Sequence, residues 1–191
     1  MQNILDKVYQ DSIKEKIAPL KVNASKFIID LINKNNYKTY LEIGSGLGYS
    51  SLFIYATTAV NKITTIERDP IRFLKAKENL KDYQKIDLIN IDCFDYEVND
   101  KYDFILLDGP KTRLEELFLK YIKLLNKNGI MIIDNIYLKN LADLEIKTNN
   151  QARILLKLNE FNDWILKNND YSIELIDIDD GLMMIQLKEE F

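Results

Sequence analysis

Two groups of residues in this sequence have types and spacings that suit chemistry. The first group is Gly44, Gly46 and Gly48, which follows the apolar run Thr39–Ile43 and precedes a helical pattern from Ser50 to about Val60. Glycines between a strand and a helix let the backbone approach a ligand closely and direct helix N–H groups toward it. The segment therefore predicts a binding loop for a nucleotide-like cofactor.

The glycine spacing bears on which cofactor this loop would bind. Dinucleotide-binding domains use G-x-G-x-x-G, whereas here the third glycine, Gly48, comes one residue early. The acidic Glu42 before the glycines favours a cofactor that carries an amino group over one with a pyrophosphate. S-adenosylmethionine (AdoMet) has an amino-acid tail and no phosphate. A glycine turn that merely joins strand to helix is the structural alternative, and an NAD-binding oxidoreductase is the chemical one.

The second group is acidic and lies at the ends of two later apolar runs. Asp108 follows Tyr102–Leu107, and Asp134 and Asn135 follow Ile130–Ile133. If these runs are neighbouring parallel strands, about 4.8 Å apart, their carboxyl ends place three oxygen ligands at one edge of a crevice. Two carboxylates and an amide oxygen suit a hard divalent cation such as Mg²⁺ or Mn²⁺. Lys111, three residues beyond Asp108, is directed to the same place.

The surrounding elements predict a doubly wound α/β fold. Strands and helices alternate along most of the chain, which is typical of a parallel sheet covered on both faces. Among the helices, one is expected over Lys111–Leu125 with its end at Asn128-Gly129, and an earlier one can be capped by Asn23 or Ser25. The end departs from this pattern, because Ser172–Ile178 and Leu182–Lys188 flank the short Asp179-Gly181 turn of an antiparallel hairpin. We expect one domain over residues 1–191, with N-terminal helices in 1–36 and the core in 37–191.

Composition excludes several classes of function. The chain has 191 residues, no histidine and one cysteine, Cys93. Catalytic schemes that need histidine are therefore excluded, and an internal disulfide is not available. The net charge of −4 gives no general signature of nucleic-acid binding. No apolar run is long enough for a membrane span, and we expect a cytoplasmic protein.

These features together resemble the class I AdoMet-dependent methyltransferases, whose mostly parallel seven-stranded sheet ends in an antiparallel hairpin. The set Asp108, Lys111, Asp134 and Asn135 is similar to that of the metal-dependent O-methyltransferases related to the catechol and caffeoyl-CoA enzymes. The resemblance implies an AdoMet-dependent transfer of a methyl group to a hydroxyl. It implies that Asp108, Asp134 and Asn135 bind the metal and that the catalytic Lys111 helps to remove the substrate proton.

The resemblance also implies roles for a set of cofactor-binding residues. The methionine tail would lie against the glycine loop with Ser50, the ribose against Glu67, and the adenine edge against two residues that follow the third strand. A residue after Pro19 would make a backbone contact. The full set is Lys21, Glu42, Gly44, Gly46, Ser50, Glu67, Asp92, Cys93 and Asp108.

Within that family the sequence is most similar to the bacterial tRNA 5-hydroxyuridine methyltransferases, through segments 133–139 and 158–182. The resemblance implies an anticodon-loop tRNA as partner. A small catechol-like molecule or an acyl-CoA ester is the alternative substrate, and a binding protein without chemistry is a further one. The N-terminal amphipathic helix can pack in a homodimer or on its own sheet. An RNA-facing surface, or simply solvated helix faces, would be formed by Arg113, Lys120, Lys123, Lys139, Lys147, Arg153 and Lys157.

Overall fold

Two N-terminal helices precede an alternation of strands and helices in the computed structural model, which describes residues 1–188. The helices are α1 (Gln2–Lys14) and α2 (Val22–Asn35). The alternating part comprises β1 (Thr39–Ile43), α3 (Tyr49–Thr57), β2 (Lys62–Glu67), α4 (Pro70–Leu80), β3 (Ile86–Asn90), β4 (Tyr102–Leu107), α5 (Leu114–Tyr121) and β5 (Leu125–Asp134). The remainder comprises α6 (Lys139–Ala142), α7 (Asn149–Ile165), β6 (Tyr171–Ile176) and β7 (Leu182–Leu187).

The strands form one seven-stranded sheet in the order β3-β2-β1-β4-β5-β7-β6. The five strands from β3 to β5 are parallel, whereas β7 runs antiparallel to both β5 and β6. The predicted mostly parallel, doubly wound sheet with an antiparallel C-terminal hairpin is therefore confirmed. The strand order reverses between β1 and β4, and open α/β sheets bind their ligands at such a switch point.

Side-chain alternation along the central strands decides what faces the crevice. Odd-numbered residues such as Leu41, Ile105 and Ile133 pack against α5 and α7. Even-numbered residues such as Tyr40 and Leu106 pack against α2 on the other face. Since side chains alternate between the faces of a strand, the acidic residues at even positions fall on the α2 side of the sheet. These residues are Glu42, Asp108 and Asp134.

Several predicted boundaries were wrong in detail. The helix expected over 111–125 is split into 3₁₀ turns at Lys111–Arg113 and Ile122–Leu124 around α5. Asn128 and Gly129 do not end it, because β5 already begins at Leu125 and pairs with Tyr102. Neither Asn23 nor Ser25 caps α2. Its N-cap is Lys21, and the backbone N–H of Ala24 donates instead to Asp179.

The helices between residues 1 and 188 include none that is both long and apolar enough to cross a membrane.

Candidate functional site

A crevice lies at the carboxyl ends of β1, β2 and β4, where the strand order reverses. It consists of two adjoining cavities of about 220 Å³ and about 200 Å³. Gly44, Glu67, Arg72 and Asp108 line both cavities. The first cavity also extends over the glycine loop to residues 16–20, and the second extends to Cys93 and Pro110. The two cavities therefore adjoin at the glycine loop.

The glycine loop is packed so closely that side chains are excluded from it. Gly44 has a φ of 103°, and a Cβ atom there would lie 2.6 Å from the backbone oxygen of Asp108. The backbone N–H groups of Gly44 and Ser45 both donate to the Ile66 carbonyl oxygen at 3.0 Å. The loop thus joins the ends of β1, β2 and β4, and its backbone forms part of the crevice wall.

Glu67 lies between the two cavities and is 6% exposed. One carboxylate oxygen accepts the Gly46 N–H at 3.0 Å, and the other accepts the Asp69 N–H at 2.8 Å. Asn90 donates its side-chain amide to the Glu67 carbonyl oxygen at 2.7 Å. Glu67 therefore holds the glycine loop in shape, and as an acceptor-only group it can also take hydroxyl donors from the crevice.

Glu42 lies beneath the loop and is fully engaged by hydroxyl groups. It accepts hydrogen bonds from Ser50, from Ser51 at 2.5 Å and from Thr65 at 2.6 Å. Burial raises the pKa of Glu42, while these three hydrogen bonds lower it and the Asp108 charge raises it further. Ser50 lines the first cavity as predicted, but its hydroxyl donates inward to Glu42.

Sequence analysis missed two contributors to the first cavity. The Ser45 hydroxyl is buried and has no hydrogen-bond partner within residues 1–188. The segment between α1 and α2, residues 16–20, covers the glycine loop, and a Cβ on Gly46 would lie 3.0 Å from Ile17 Cγ2. Ser45 stands inside the glycine pattern, so its position was available as a signal. The covering segment carries no comparable signal.

Of three further predicted cofactor residues, Cys93 lines the crevice, whereas Asp92 and Lys21 do not. Cys93 lines the second cavity, and burial raises the pKa of its thiol to about 11. Asp92 lines neither cavity; its carboxylate accepts the Phe94 N–H at 3.0 Å and lies 3.6 Å from Arg68, which lines the second cavity. Lys21 lies one residue beyond Leu20, the last lining residue of the covering segment, and its ammonium is 2.5 Å from the Asp180 carboxylate.

The acidic group assembles next to this crevice. Leu107 of β4 pairs with Ile133 of β5, so Asp108 and Asp134 follow in register on adjacent strands. Lys111 joins them, since its Nζ lies 3.4 Å from an Asp108 oxygen and donates to the Asp134 carbonyl oxygen at 2.7 Å. Asn135 follows with a φ of 58°, and its N–H donates to the Asp134 carboxylate at 2.7 Å. The four residues therefore meet at one edge.

Negative charge dominates the electrostatics of this edge, and the Asp134 carboxylate is buried. Asp134 is 6% exposed, and burial together with the Asp108 charge raises its pKa to about 7, against a lowering effect of Lys111. A cation next to such a buried carboxylate would favour its ionised form. Within the described residues no three His, Cys, Asp or Glu side chains are close enough to hold a metal ion by themselves. The available donors are thus two carboxylates and the Asn135 amide.

A comparison with known families identifies the fold and the chemistry together. A family model described as O-methyltransferase matches residues 1–188. The chain belongs to the O-methyltransferase family.

Individual relatives of this O-methyltransferase cover nearly its whole length. A probable caffeoyl-CoA O-methyltransferase 2 of Dictyostelium discoideum is 25% identical over an alignment of 197 positions, which covers 97% of this chain and 84% of that protein. The crystal structure of a candidate caffeoyl-CoA O-methyltransferase of Staphylococcus aureus has a TM-score of 0.88 at 28% identity, over 96% of this chain and 92% of that one. The Bacillus cereus O-methyltransferase, solved with SAH, has a TM-score of 0.80 at 19% identity, over 97% and 91%.

About half of the basic residues that were expected to form an RNA-facing surface of this O-methyltransferase lie next to carboxylates. Several surround a separate cavity of about 870 Å³ beside α5 and α7, whose lining also includes Glu97, Glu115, Glu116 and Glu160. Four of the seven residues named in the sequence form ion pairs: Arg113 with Glu116, Lys120 with Glu97, Lys139 with Asp177, and Lys157 with Glu160. These pairings leave a surface of mixed charge around that cavity.

Proposed function

We propose that this chain is an AdoMet-dependent O-methyltransferase that methylates a ring hydroxyl next to a second oxygen. The observation that carries the proposal is that Asp108 belongs to both the crevice and the acidic edge. Asp108 lines both cavities of the crevice and, through Lys111 and the register of β4 with β5, belongs to the acidic edge with Asp134. A cofactor in the crevice and an acceptor at the edge would therefore lie side by side.

The crevice fits AdoMet in the chemistry of its lining. The buried, unpartnered hydroxyl of Ser45 is a donor that a carboxylate of an amino-acid tail would satisfy. Gly44 and Gly46 offer close backbone approach, and Glu67 offers acceptors for ribose hydroxyls. Cys93 lines the part of the crevice that we assign to adenine. The B. cereus relative was solved with SAH, the demethylated form of AdoMet, which supports this assignment.

The acidic edge fits a hard divalent cation. Asp108, Asp134 and Asn135 would hold it through two carboxylates and an amide oxygen, a donor set that Mg²⁺ and Mn²⁺ accept. The raised pKa of the buried Asp134 supports this assignment, because a cation would offset the repulsion from Asp108. A cation held there supplies Lewis acidity, which favours the anionic form of an acceptor hydroxyl.

Lys111 is the residue placed to handle the acceptor proton. Its side chain is 11% exposed and is oriented by Asp108 and by the Asp134 carbonyl oxygen. In its neutral form it would accept the hydroxyl proton, while the acceptor oxygen takes the methyl group of AdoMet and the cofactor leaves as SAH with its sulfur–methyl bond broken. In its charged form it stabilises the oxyanion. Either role needs an oxygen nucleophile at the Asp108–Asp134 edge, because Lys111 is fixed there.

Two acceptors have this chemistry, and the catechol-like one is the first proposal. A catechol or caffeoyl ring carries two adjacent hydroxyls, and the two relatives of highest identity above are named for caffeoyl-CoA. The ion pairing of the basic residues also supports a small acceptor over an RNA. The second proposal is 5-hydroxyuridine in tRNA, whose hydroxyl adjoins a carbonyl. It rests on the sequence resemblance of segments 133–139 and 158–182.

Methyl transfer to a panel of acceptors tests both proposals. The purified chain is given AdoMet with a labelled methyl group and one of three acceptors: a catechol, a 5-hydroxyuridine nucleoside, or tRNA that bears this base. Each reaction is run with Mg²⁺, with Mn²⁺ and with a chelator. We expect labelled catechol only when a divalent cation is present. Preferential labelling of the tRNA would select the second acceptor, and full activity in chelator would contradict the cation assignment.

A further inference from the structure

The turn between β6 and β7 does more than connect two strands. This hairpin turn, defined as Asp179–Gly181, contacts two separate parts of the chain. It accepts the backbone N–H groups of Ile136 at 3.1 Å and Tyr137 at 2.9 Å through the carbonyl oxygens of Gly181 and Asp180. These two bonds fix the backbone directly after Asn135. The hairpin turn is therefore attached to the acidic edge.

The same turn also holds the beginning of α2. Asp179, which has a φ of 54°, accepts the Ala24 N–H at 3.0 Å and the Asn23 side-chain amide at 3.0 Å. Asp180 lies 2.5 Å from the Lys21 ammonium, and its own side chain is only 13% exposed. The Asp179 carboxylate thus satisfies one of the N-terminal backbone donors of a helix that has no side-chain cap of its own, and Asp180 binds the Lys21 side chain just before it.

The residues just before α2 are those that cover the cofactor cavity. Residues 16–20 line that cavity over the glycine loop and form no regular secondary structure after Lys16. Ile17 packs against Gly46, and its N–H donates to the Ser12 carbonyl oxygen at 2.9 Å at the α1 end. At the α2 end, this covering segment, residues 16–20, continues into Lys21, which is bound by Asp180. Its position therefore depends on the hairpin turn.

We propose that Lys21 and Asp180 are positioning residues, whose ion pair fastens the cover over the AdoMet pocket to the acidic edge. The proposal rests on the proposed function for the identity of the ligand. It assigns Lys21 a side-chain role at a distance from the cofactor, in addition to the backbone contact expected from the sequence. The hairpin turn binds both Lys21, next to the covering segment, and the backbone after Asn135. The Lys21–Asp180 ion pair would therefore fix the position of the cofactor pocket relative to the acidic edge.

The direction in which Lys21→Met and Asp180→Asn change the AdoMet Kd distinguishes a positioning ion pair from a general electrostatic effect on the ligand. AdoMet carries a net positive charge, so a general field effect predicts tighter binding after Lys21→Met and weaker binding after Asp180→Asn. A fastening ion pair predicts weaker binding after both. We expect each change to raise the AdoMet Kd by about two- to fivefold, the scale of a partly exposed ion pair. The double variant should be no weaker than the single variants, because the pair is lost only once.

Calorimetry of AdoMet binding is the test, with Lys139→Met and Asp177→Asn as matched controls. Lys139 and Asp177 form an ion pair at 2.6 Å near the same hairpin but outside the crevice. Both controls should keep the wild-type Kd. Raising the salt concentration should weaken binding by the wild type and narrow its difference from Lys21→Met, since exposed pairs are screened. Amide exchange in residues 16–21 of the AdoMet complex should be faster in both variants than in the controls.

The outcomes distinguish a failure of AdoMet binding from a failure of the Lys21–Asp180 ion pair to position residues 16–20. A wild-type chain that does not bind AdoMet would overturn the proposed function, and with it the ligand of this inference. A wild type that binds AdoMet, together with Lys21→Met and Asp180→Asn variants of unchanged Kd and unchanged exchange, would overturn the inference alone. Opposite effects of the two variants would also overturn it, in favour of a field effect. Urea unfolding of each variant checks that altered binding is not a loss of folded protein.

Discussion

Lys111 is the residue whose environment most directly predicts a catalytic defect. It is almost buried and is oriented by Asp108 and the Asp134 carbonyl oxygen. If it takes the acceptor proton, Lys111→Met should lower kcat by about 10²- to 10⁴-fold, the usual contribution of a general base. The AdoMet Kd should change little, because Lys111 does not line the cofactor cavities. Steady-state kinetics across pH, with calorimetry, measures both.

Lys120 provides the control for that experiment. It is also a partly buried lysine that donates to a carbonyl oxygen, that of Phe94 at 2.7 Å, and lies 3.3 Å from Glu97. It lies beside α7, outside the crevice. Lys120→Met should keep the wild-type kcat. Raising the pH should partly restore Lys111→Met, and a Lys111→Met variant with wild-type kcat at every pH would exclude the residue from proton transfer.

The buried carboxyl group of Glu42 should make the free energy of unfolding depend on pH. Burial raises its pKa in the folded chain above the ordinary value, so the folded state binds this proton more tightly than the unfolded state does. Its contribution to the unfolding free energy is therefore largest at low pH and falls as the pH rises from the ordinary glutamate pKa through the folded one. Each unit of pKa difference corresponds to about 1.4 kcal/mol.

The variant Glu42→Gln isolates this contribution. It keeps a polar group among Ser50, Ser51 and Thr65 but cannot ionise. Urea unfolding without AdoMet, repeated from pH 4 to pH 8, should show a wild-type stability that declines relative to that of the variant. A difference between the two proteins that is constant with pH would mean that Glu42 is ionised equally in the folded and unfolded states.

At the scale of elements, the glycine loop is the most constrained connection. Gly44→Ala would force a left-handed φ and place a Cβ atom 2.6 Å from the Asp108 backbone oxygen, where no flexible side chain can yield. We expect a loss of about 1–3 kcal/mol in unfolding free energy and a weaker AdoMet complex. Unfolding and calorimetry measure the two effects.

Gly129→Ala separates strain from function. A Cβ there would meet the Asp103 backbone oxygen at 2.7 Å, at the opposite edge of the sheet. That variant should also lose stability, but the fraction that remains folded should bind AdoMet with wild-type affinity. If Gly44→Ala and Gly129→Ala weakened AdoMet binding equally, the loop would have no specific part in the site.

The elements differ in how well the sequence predicted them. Strands β1 and β4 begin and end where the apolar runs do, because strands covered on both faces are marked by largely apolar residues. The start of β5 was missed, since Leu125–Asn128 is polar apart from its first residue. The junction of Lys21 with Asp180 could not be predicted, because 159 residues separate the two and neither has a local pattern.

At the scale of the whole molecule, the site follows from topology more than from any single motif. The order β2-β1-β4-β5 brings the glycine loop, Glu67 and the two acidic strand ends to one edge. The sequence predicted β4 and β5 as neighbours, and so it predicted that Asp108 and Asp134 meet. It could not predict that Glu42 and Asp92 would be engaged by internal partners, because hydrogen bonds with serines, a threonine and a backbone N–H depend on side-chain placement.

Single-turnover methyl transfer by Asp134→Asn shows whether the acidic edge is the acceptor side of one site and the adjoining crevice its AdoMet side. With a catechol acceptor, Mg²⁺ and saturating AdoMet, we expect a rate at least about 100-fold below that of the wild type, with an AdoMet Kd within about twofold. A wild-type rate of transfer by Asp134→Asn would mean that the acidic edge is not the acceptor side.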